Sequence, residues 1–208
     1  MNLKNNYYYF KKALPKRFCD EVVRYGKEKN DRIGTVGDYE ADTITKKQIK
    51  DLKKKRDSNV SFVADPWIHR EILPFIHEAN KEAGWNFKID GNESFQFTKY
   101  KKGQFYGWHC DSFLEPFSNH VMPWLNGKVR KLSVTVSLSD PSEYEGGELQ
   151  FDYRNGGDKN VSNIVTCKEI KEKGSLVVFP SFVWHRVKPV KKGVRYSLVI
   201  WHCGLPFA

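Results

Sequence analysis

From Leu132 to Leu138 apolar and polar residues alternate without a break. Leu132, Val134, Val136 and Leu138 fall on one face of a strand; Ser133, Thr135 and Ser137 fall on the other. The stretch KLSVTVSLS is one of eight strand-like runs after Gly84. The others are WNFKI (85–89), SFQFTKY (94–100), FYGWHCD (105–111), GELQFDY (147–153), IVTCKEI (164–170), SLVVF (175–179) and RYSLVIW (195–201). Turn formers separate them: Asp90-Gly91, Pro141, Gly146-Gly147, Asn155-Gly156-Gly157 and Gly174.

The first 84 residues read differently. Tyr7 to Phe10 is a short aromatic run that suits an opening strand. After Pro15, Phe18, Val22 and Tyr25 recur at helical spacing in KRFCDEVVRYGKEK. Residues 31–45 are polar and loop-like. Asn59 to Ala64, with Val60 and Phe62, reads as a strand. Pro66 opens a second helix with Ile68, Ile72, Phe75, Ile76 and Ala79 on a broad apolar face. The expectation is one mainly β domain over 1–208. Residues 1–84 form a helical support region, and 85–208 form a double-sheet jelly roll with the helices packed on one sheet.

Composition agrees with a globular chain. It has 208 residues, 39% hydrophobic and 29% charged, enough to bury a core without staples. The formal charge is +10, much of it from KKQIKDLKKKR at 46–56. Such a balance permits an acidic partner, nucleic acid included; the plainer reading is a solvated helix face. Cys19, Cys110, Cys167 and Cys203 show no C-x2-C spacing and read as free thiols. No run is long enough for a membrane span, and MNLKNNYYYF lacks the apolar core of a signal peptide. A cytoplasmic protein is the expectation.

The candidate chemistry lies in YKKGQFYGWHCD (100–111). His109 and Asp111 sit one residue apart, so on a strand both reach the same side. His185 lies far downstream in FPSFVWHRVKPV. Two histidines and one carboxylate make the facial triad of non-haem Fe(II) oxygenases, which leaves open positions for cosubstrate and O₂. Ten residues after His185 comes Arg195, with Ser197 two further along the same strand face. A guanidinium fork pairs bidentately with a carboxylate, which suits the distal end of 2-oxoglutarate. The same ligand set suits Zn²⁺ and a hydrolytic water, or a non-catalytic jelly roll; a zinc hydrolase has no need of Arg195. His120 lies in irregular sequence, and His202 points away from Trp201. His69 and His77 are too far apart along their helix to chelate together. Residues 112–128 form a long loop with Phe113, Leu114, Phe117 and Trp124, read as a lid or substrate wall beside the metal.

In order, Y-x2-G-x2-Y-x2-H-x-D, a Gly-Gly hairpin, F-P-x4-H-R-V-x-P-V and G-x-R-x-S-x3-W resemble the Fe(II)/2-oxoglutarate-dependent dioxygenases. Within them the chain is most similar to the prolyl 4-hydroxylase-like branch with its PKHD-type hydroxylases. The likeness is specific from about Glu93 to Trp201 and thinner before, where Arg56, Ser58 and ILPFIHEAN share it. It implies a double-stranded β-helix core and His109, Asp111 and His185 on iron. It implies Arg195 and Ser197 on 2-oxoglutarate, with Tyr100, Thr135, Ser137 and Leu149 around the cosubstrate and Trp201 packing behind the metal. It implies O₂ as co-reactant, with room for ascorbate as reductant. The substrate it favours is a prolyl residue in a protein or peptide; a small molecule stays open. Nucleic-acid demethylation is disfavoured, because the related repair enzymes carry a second arginine where Trp201 stands.

Overall fold

The alternating runs form two antiparallel sheets, and the hydroxyl face of Leu132–Leu138 lies between them. The computed structural model describes residues 5–29, 31–35, 44–113, 115–153 and 163–207. The expected turn at Asn155-Gly156-Gly157 and residue Leu114 lie outside the described residues. In chain order come β1 (Tyr8–Phe10), α1 (Lys16–Glu28), β2 (Arg32–Ile33), α2 (Lys46–Lys55), β3 (Arg56–Asp57), β4 (Asn59–Val63) and α3 (Pro66–Glu82). The rest is β5 (Gly91–Asn92), β6 (Phe95–Tyr100), β7 (Phe105–His109), β8 (Val129–Ser137), β9 (Tyr144–Gly146), β10 (Leu149–Asp152), β11 (Ile164–Thr166), β12 (Leu176–Pro180), β13 (Trp184–Val187), β14 (Val190–Gly193) and β15 (Arg195–Gly204). One sheet runs β1-β12-β8-β15-β6-β4-β2, with β5 on β15; the other runs β11-β10-β13-β7-β3; β9 and β14 form a separate pair.

Two apolar clusters follow from this layering. On the outer face of the large sheet, α1 gives Phe18 and Val22 and α3 gives Ile68, Ile72 and Ile76. They meet Leu132, Val134, Val136, Leu198 and Ile200. Each fully buried isoleucine contributes about 1.5–3 kcal/mol of transfer free energy. α1 crosses β6 closely: a Cβ on Gly26 would lie 2.5 Å from the Phe97 ring, so no larger residue fits. The second cluster fills the space between the sheets, with Phe151, Phe179, Val177, Leu149 and Tyr100. The mainly β architecture is as expected, with α1 and α3 on one outer face; α2 departs from the expectation and lies against β3 and β7 of the other sheet.

Four local readings change. WNFKI is not a strand. Asn80 on α3 takes the place of a strand partner, accepting from Phe87 N and donating to Phe87 O, both at 2.9 Å. Asn86 adopts φ +51°, which interrupts an extended run. In β4 the buried residues are Val60, Ser61 and Val63, while Phe62 is half exposed. Ser61 is held inside by donating to Gly26 O at 3.1 Å. The first 84 residues supply β1 to β4 as well as the three helices, and Arg32–Ile33 of the expected loop pair with β4. Strand β7 ends at His109, so Asp111 is off the strand.

Candidate active site

His109 and His185 face each other across the β7–β13 pairing, where they are direct register partners. Their ring centroids are 4.1 Å apart. Asp111 reaches them from a bend rather than from a strand. Its backbone N–H and that of Ser112 both donate to Ser181 O, at 2.8 and 3.0 Å. That clamp turns the chain after His109 and brings the carboxylate back. His109 Nε2 lies 3.5 Å from Asp111 Oδ1, and His185 Nε2 lies 3.5 Å from Asp111 Oδ2. His109 and Asp111 are brought together by a turn and not by strand periodicity.

Hydrogen bonds fix which ring nitrogens are free. His109 Nδ1 donates to Gly107 O at 2.8 Å, and His185 Nδ1 donates to Val183 O at 2.9 Å. Carbonyls only accept, so both Nδ1 atoms carry a proton, and both Nε2 atoms are the ones turned toward Asp111. Burial lowers the His185 pKa to about 4, with His109 adding to the effect. Burial alone would raise that of Asp111, but His185, His109 and Arg130 more than offset it and hold it well below the carboxylate range. Two Nε2 atoms and a buried carboxylate thus converge, all within 4.8 Å of one another. That donor set fits a divalent cation, and it is the one such group among the described residues.

Neighbours lock each ligand. Tyr106 stacks on His109 with centroids 3.5 Å apart, and Arg56 lies 4.5 Å over the Tyr106 ring. Arg56 in turn donates to Ser58 Oγ at 2.9 Å. Phe179 packs edge-on to His185 at 4.7 Å. Ser133 Oγ donates to Asp111 Oδ2 at 2.7 Å and sits 2.9 Å from Ser181 Oγ. Behind the bend, Arg130 is held bidentately by Glu93 at 2.5 and 2.7 Å, donates to Asp111 O at 3.4 Å and lies 4.0 Å over Trp201.

Arg195 opens β15 opposite Tyr100 of β6, and Ser197 stands between Thr98 and Ser137. The guanidinium is buried; Nη1 donates to Ser197 Oγ at 3.2 Å. A narrow cavity between the sheets is lined by the three metal-ligand candidates together with Arg195, Ser197 and Tyr100, and also by Thr135, Leu149 and Trp201. Ser137 lies just off this lining, and its buried Oγ has no partner among the described residues. A wider cleft of about 550 Å³ lies on the other side of Arg195 and Leu149. It holds none of the three ligand candidates, so the chemistry belongs to the narrow cavity. His120 accepts from Met122 N in its loop, and His202 stacks near His69 on the helical side; neither reaches the triad.

The residues that sequence reasoning passed over are Tyr106, Ser133, Ser181 and the Glu93–Arg130 pair. Ser133 had a signal, since it shares the alternating face of Thr135 and Ser137. Ser181 had none, because it acts through its carbonyl.

The model of the 2OG-Fe(II) oxygenase superfamily matches residues 95–203, more than half of the chain. The chain belongs to that superfamily. A PKHD-type hydroxylase of Synechococcus sp. (strain CC9902) is 38% identical over 109 residues, 52% of this chain and 40% of the relative. One from Teredinibacter turnerae is 36% identical over 106 residues, 51% of this chain and 41% of the relative. The chain therefore spans about two fifths of the length of these curated relatives. Two solved structures share the superfamily's fold. A Pseudomonas putida prolyl-4-hydroxylase superposes with a TM-score of 0.66 at 17% identity, over 95% of this chain and 92% of that one. A viral collagen prolyl hydroxylase from Paramecium Bursaria Chlorella virus-1, solved as its 2OG complex, gives 0.63 at 18% identity, over 97% of each chain. The matched segment of the superfamily runs from β6 to β15 and contains every ligand candidate.

Proposed function

We propose that this chain is an Fe(II)- and 2-oxoglutarate-dependent oxygenase that hydroxylates a C–H bond, with a prolyl residue of a protein or peptide as the favoured substrate. The observation that carries the reading is one cavity. His109, His185, the Asp111 carboxylate and the buried Arg195 all line it. A zinc hydrolase would have no use for that arginine. When bound, iron with 2-oxoglutarate and O₂ would supply the oxidising power, one oxygen atom entering succinate as the cosubstrate loses CO₂ and the other entering the C–H bond.

The chain's own residues supply geometry. His109 and His185 would hold the metal through Nε2 and Asp111 through its carboxylate. Ser133 keeps that carboxylate aimed inward, and the Nδ1–H bonds to Gly107 O and Val183 O keep the rings from turning. Arg195, with Ser197 fixing its fork, would take the distal carboxylate of 2-oxoglutarate, while Tyr100, Thr135 and Leu149 wall the space between. Ser137 would support Ser197 across the strands. Burial keeps water away from these charges and strengthens each contact.

The names of the relatives support a hydroxylated polypeptide over a small molecule. The whole chain is read as one domain. Among the described residues no helix is long and apolar enough to cross a membrane. Four free cysteines support a reducing compartment, and we place the protein in the cytoplasm.

The test is 2-oxoglutarate turnover against proline-containing peptides, free amino acids and methylated nucleic acid. The purified chain should bind one Fe(II), and His109→Ala or Asp111→Ala should abolish decarboxylation. Full iron occupancy with normal turnover in both variants would rule the triad out.

A further inference from the structure

The lysine-rich helix α2 is placed against the metal-bearing strand. It runs straight into β3, whose Arg56 is the register partner of Tyr106 on β7. Its last carbonyl, Lys55 O, would lie 3.0 Å from a Cβ on Gly107. Gly107 O is the acceptor that orients His109. One backbone step therefore separates the end of α2 from a metal-ligand candidate.

The helix buries Leu52 and half-buries Ile49, and turns the rest outward. Lys46, Lys47, Lys50, Lys53, Lys54 and Lys55 are all exposed. Asp51 is the single acidic residue among them, and it pairs with Lys54. Lys53, Lys54 and Lys55 suit the last turn, where the helix dipole favours cations, but toward the N-terminus this density works against the helix itself. Lys46 and Lys50, and Lys50 and Lys54, are like charges at i,i+4, which destabilise a helix. Lys46 and Lys47 occupy the first turn, where no acidic residue offsets them and the helix dipole disfavours cations. A neutral capping box, Thr45 with Gln48, closes that end where a glutamate would have relieved the charge. Local conflict of this kind is expected where a surface serves a partner.

We propose that α2 is a docking surface for an acidic stretch of the polypeptide substrate, beside the residue to be hydroxylated. This rests on the oxygenase reading above and names the substrate's flank. The helix is about 15 Å long, and an extended peptide covers about 3.3 Å per residue. An acidic stretch of about four to five residues would therefore span it. A polypeptide fits better than nucleic acid, because KKQIKDLKKK offers no aromatic for base stacking and no arginine for base edges. The metal cavity is narrow and walled by buried side chains, which suits a small ring more than a flipped base.

The experiment compares the full chain with K50E/K53E/K54E, none of which lines the cavity. The probes are two fluorescent proline peptides, one flanked by glutamates and one by glutamines, and a single-stranded oligonucleotide. Anisotropy at low salt should show the glutamate peptide binding about tenfold more weakly to the variant. The glutamine peptide should bind both proteins alike, and the difference should shrink as salt screens it. With Fe(II) and 2-oxoglutarate present, KM for the glutamate peptide should rise in the variant while peptide-independent decarboxylation stays unchanged. Equal binding of the glutamate peptide by both proteins overturns the proposal. So does an oligonucleotide that binds more tightly than the glutamate peptide at the same salt and loses that binding in the variant. If the glutamate peptide docks through α2 but no peptide is hydroxylated, the docking surface stands and the prolyl reading fails.

Discussion

Ser133 shows how much a single side chain can decide. Its hydroxyl is fully buried and spends its proton on Asp111, a carboxylate that burial alone would push toward neutrality. A hydrogen bond to a charged group contributes about 1.5–3 kcal/mol. Ser133→Ala should therefore weaken Fe(II) binding about 10- to 100-fold, the range usual for partners of metal ligands. Iron titration followed by turnover at saturating metal separates this from lost catalysis: activity should return when iron is raised. Arg195 carries the other half of the site. In Arg195→Leu the loss of a buried carboxylate partner costs on the order of 2–5 kcal/mol, or roughly tens to thousands fold in the 2-oxoglutarate constant. Iron should stay bound. Arg195→Lys should recover only part, since a point charge cannot form the fork held by Ser197. An unchanged 2-oxoglutarate dependence in Arg195→Leu would remove Arg195 from the cosubstrate site.

Among the elements, the 112–128 segment divides into two kinds of residue. Leu125 closes a 3₁₀ turn, Pro123–Leu125, and is fully buried; Trp124 beside it is 41% exposed and lies against Gly91. Phe117 N bonds Lys128 O and Gly127 N bonds Phe117 O, so the base of the loop is closed on itself. Leu125→Ala should cost about 2–5 kcal/mol of stability. Trp124→Ala should leave folding and iron binding nearly intact and instead uncouple 2-oxoglutarate consumption from hydroxylation, if the tip covers substrate. Thermal melts of both variants, with succinate and hydroxylated product counted together, test this. A large drop in Tm for Trp124→Ala with normal coupling would make the tip plain core cover. The same elements show what the sequence could tell. The alternation in β8 and the run Arg195–Trp201 were legible because strands with one apolar face leave a period of two. β13 was not, although it carries His185. In Trp184–Val187 the residues that point inward are His185 and Val187, flanked by Trp184 and Arg186, so polarity does not track burial. WNFKI failed for the opposite reason: its pattern is strand-like, but Asn80 supplies the hydrogen bonds a neighbouring strand would have given. The triad itself was readable, though the route to it was not, since Ser181 O bends the chain at Asp111 and a carbonyl leaves no mark in sequence.

At the scale of the molecule, helices α1 and α3 lie across one sheet from the candidate metal site, and β15 touches both sides. Its Arg195 and Ser197 face the cavity, while His202 near its end is buried against α3. His202 Nε2 has no partner among the described residues. Burial lowers its pKa to about 3, and His69 and His77 on α3 add to the effect. Phe95 stacks on His69 from β6, and Asn92 pairs with His202 from β5; no carboxylate among the described residues offsets the effect. The sign follows directly. The folded value lies below the unfolded value of about 6.5, so folding favours the neutral ring. The stability this contributes is complete above about pH 6.5 and is lost as pH falls toward 3, at no more than about 1.4 kcal/mol per pH unit. His202→Phe, which fills the site without a titrating group, should flatten the acid limb of the stability curve between about pH 6 and pH 4. Denaturant unfolding of metal-free protein at several pH values measures this away from the triad. His185 also titrates low, and His185→Asn and His202→Phe, made singly and together, separate the two contributions. If the acid limb of His202→Phe runs parallel to that of the parent, the ring is not what couples the helical layer to pH.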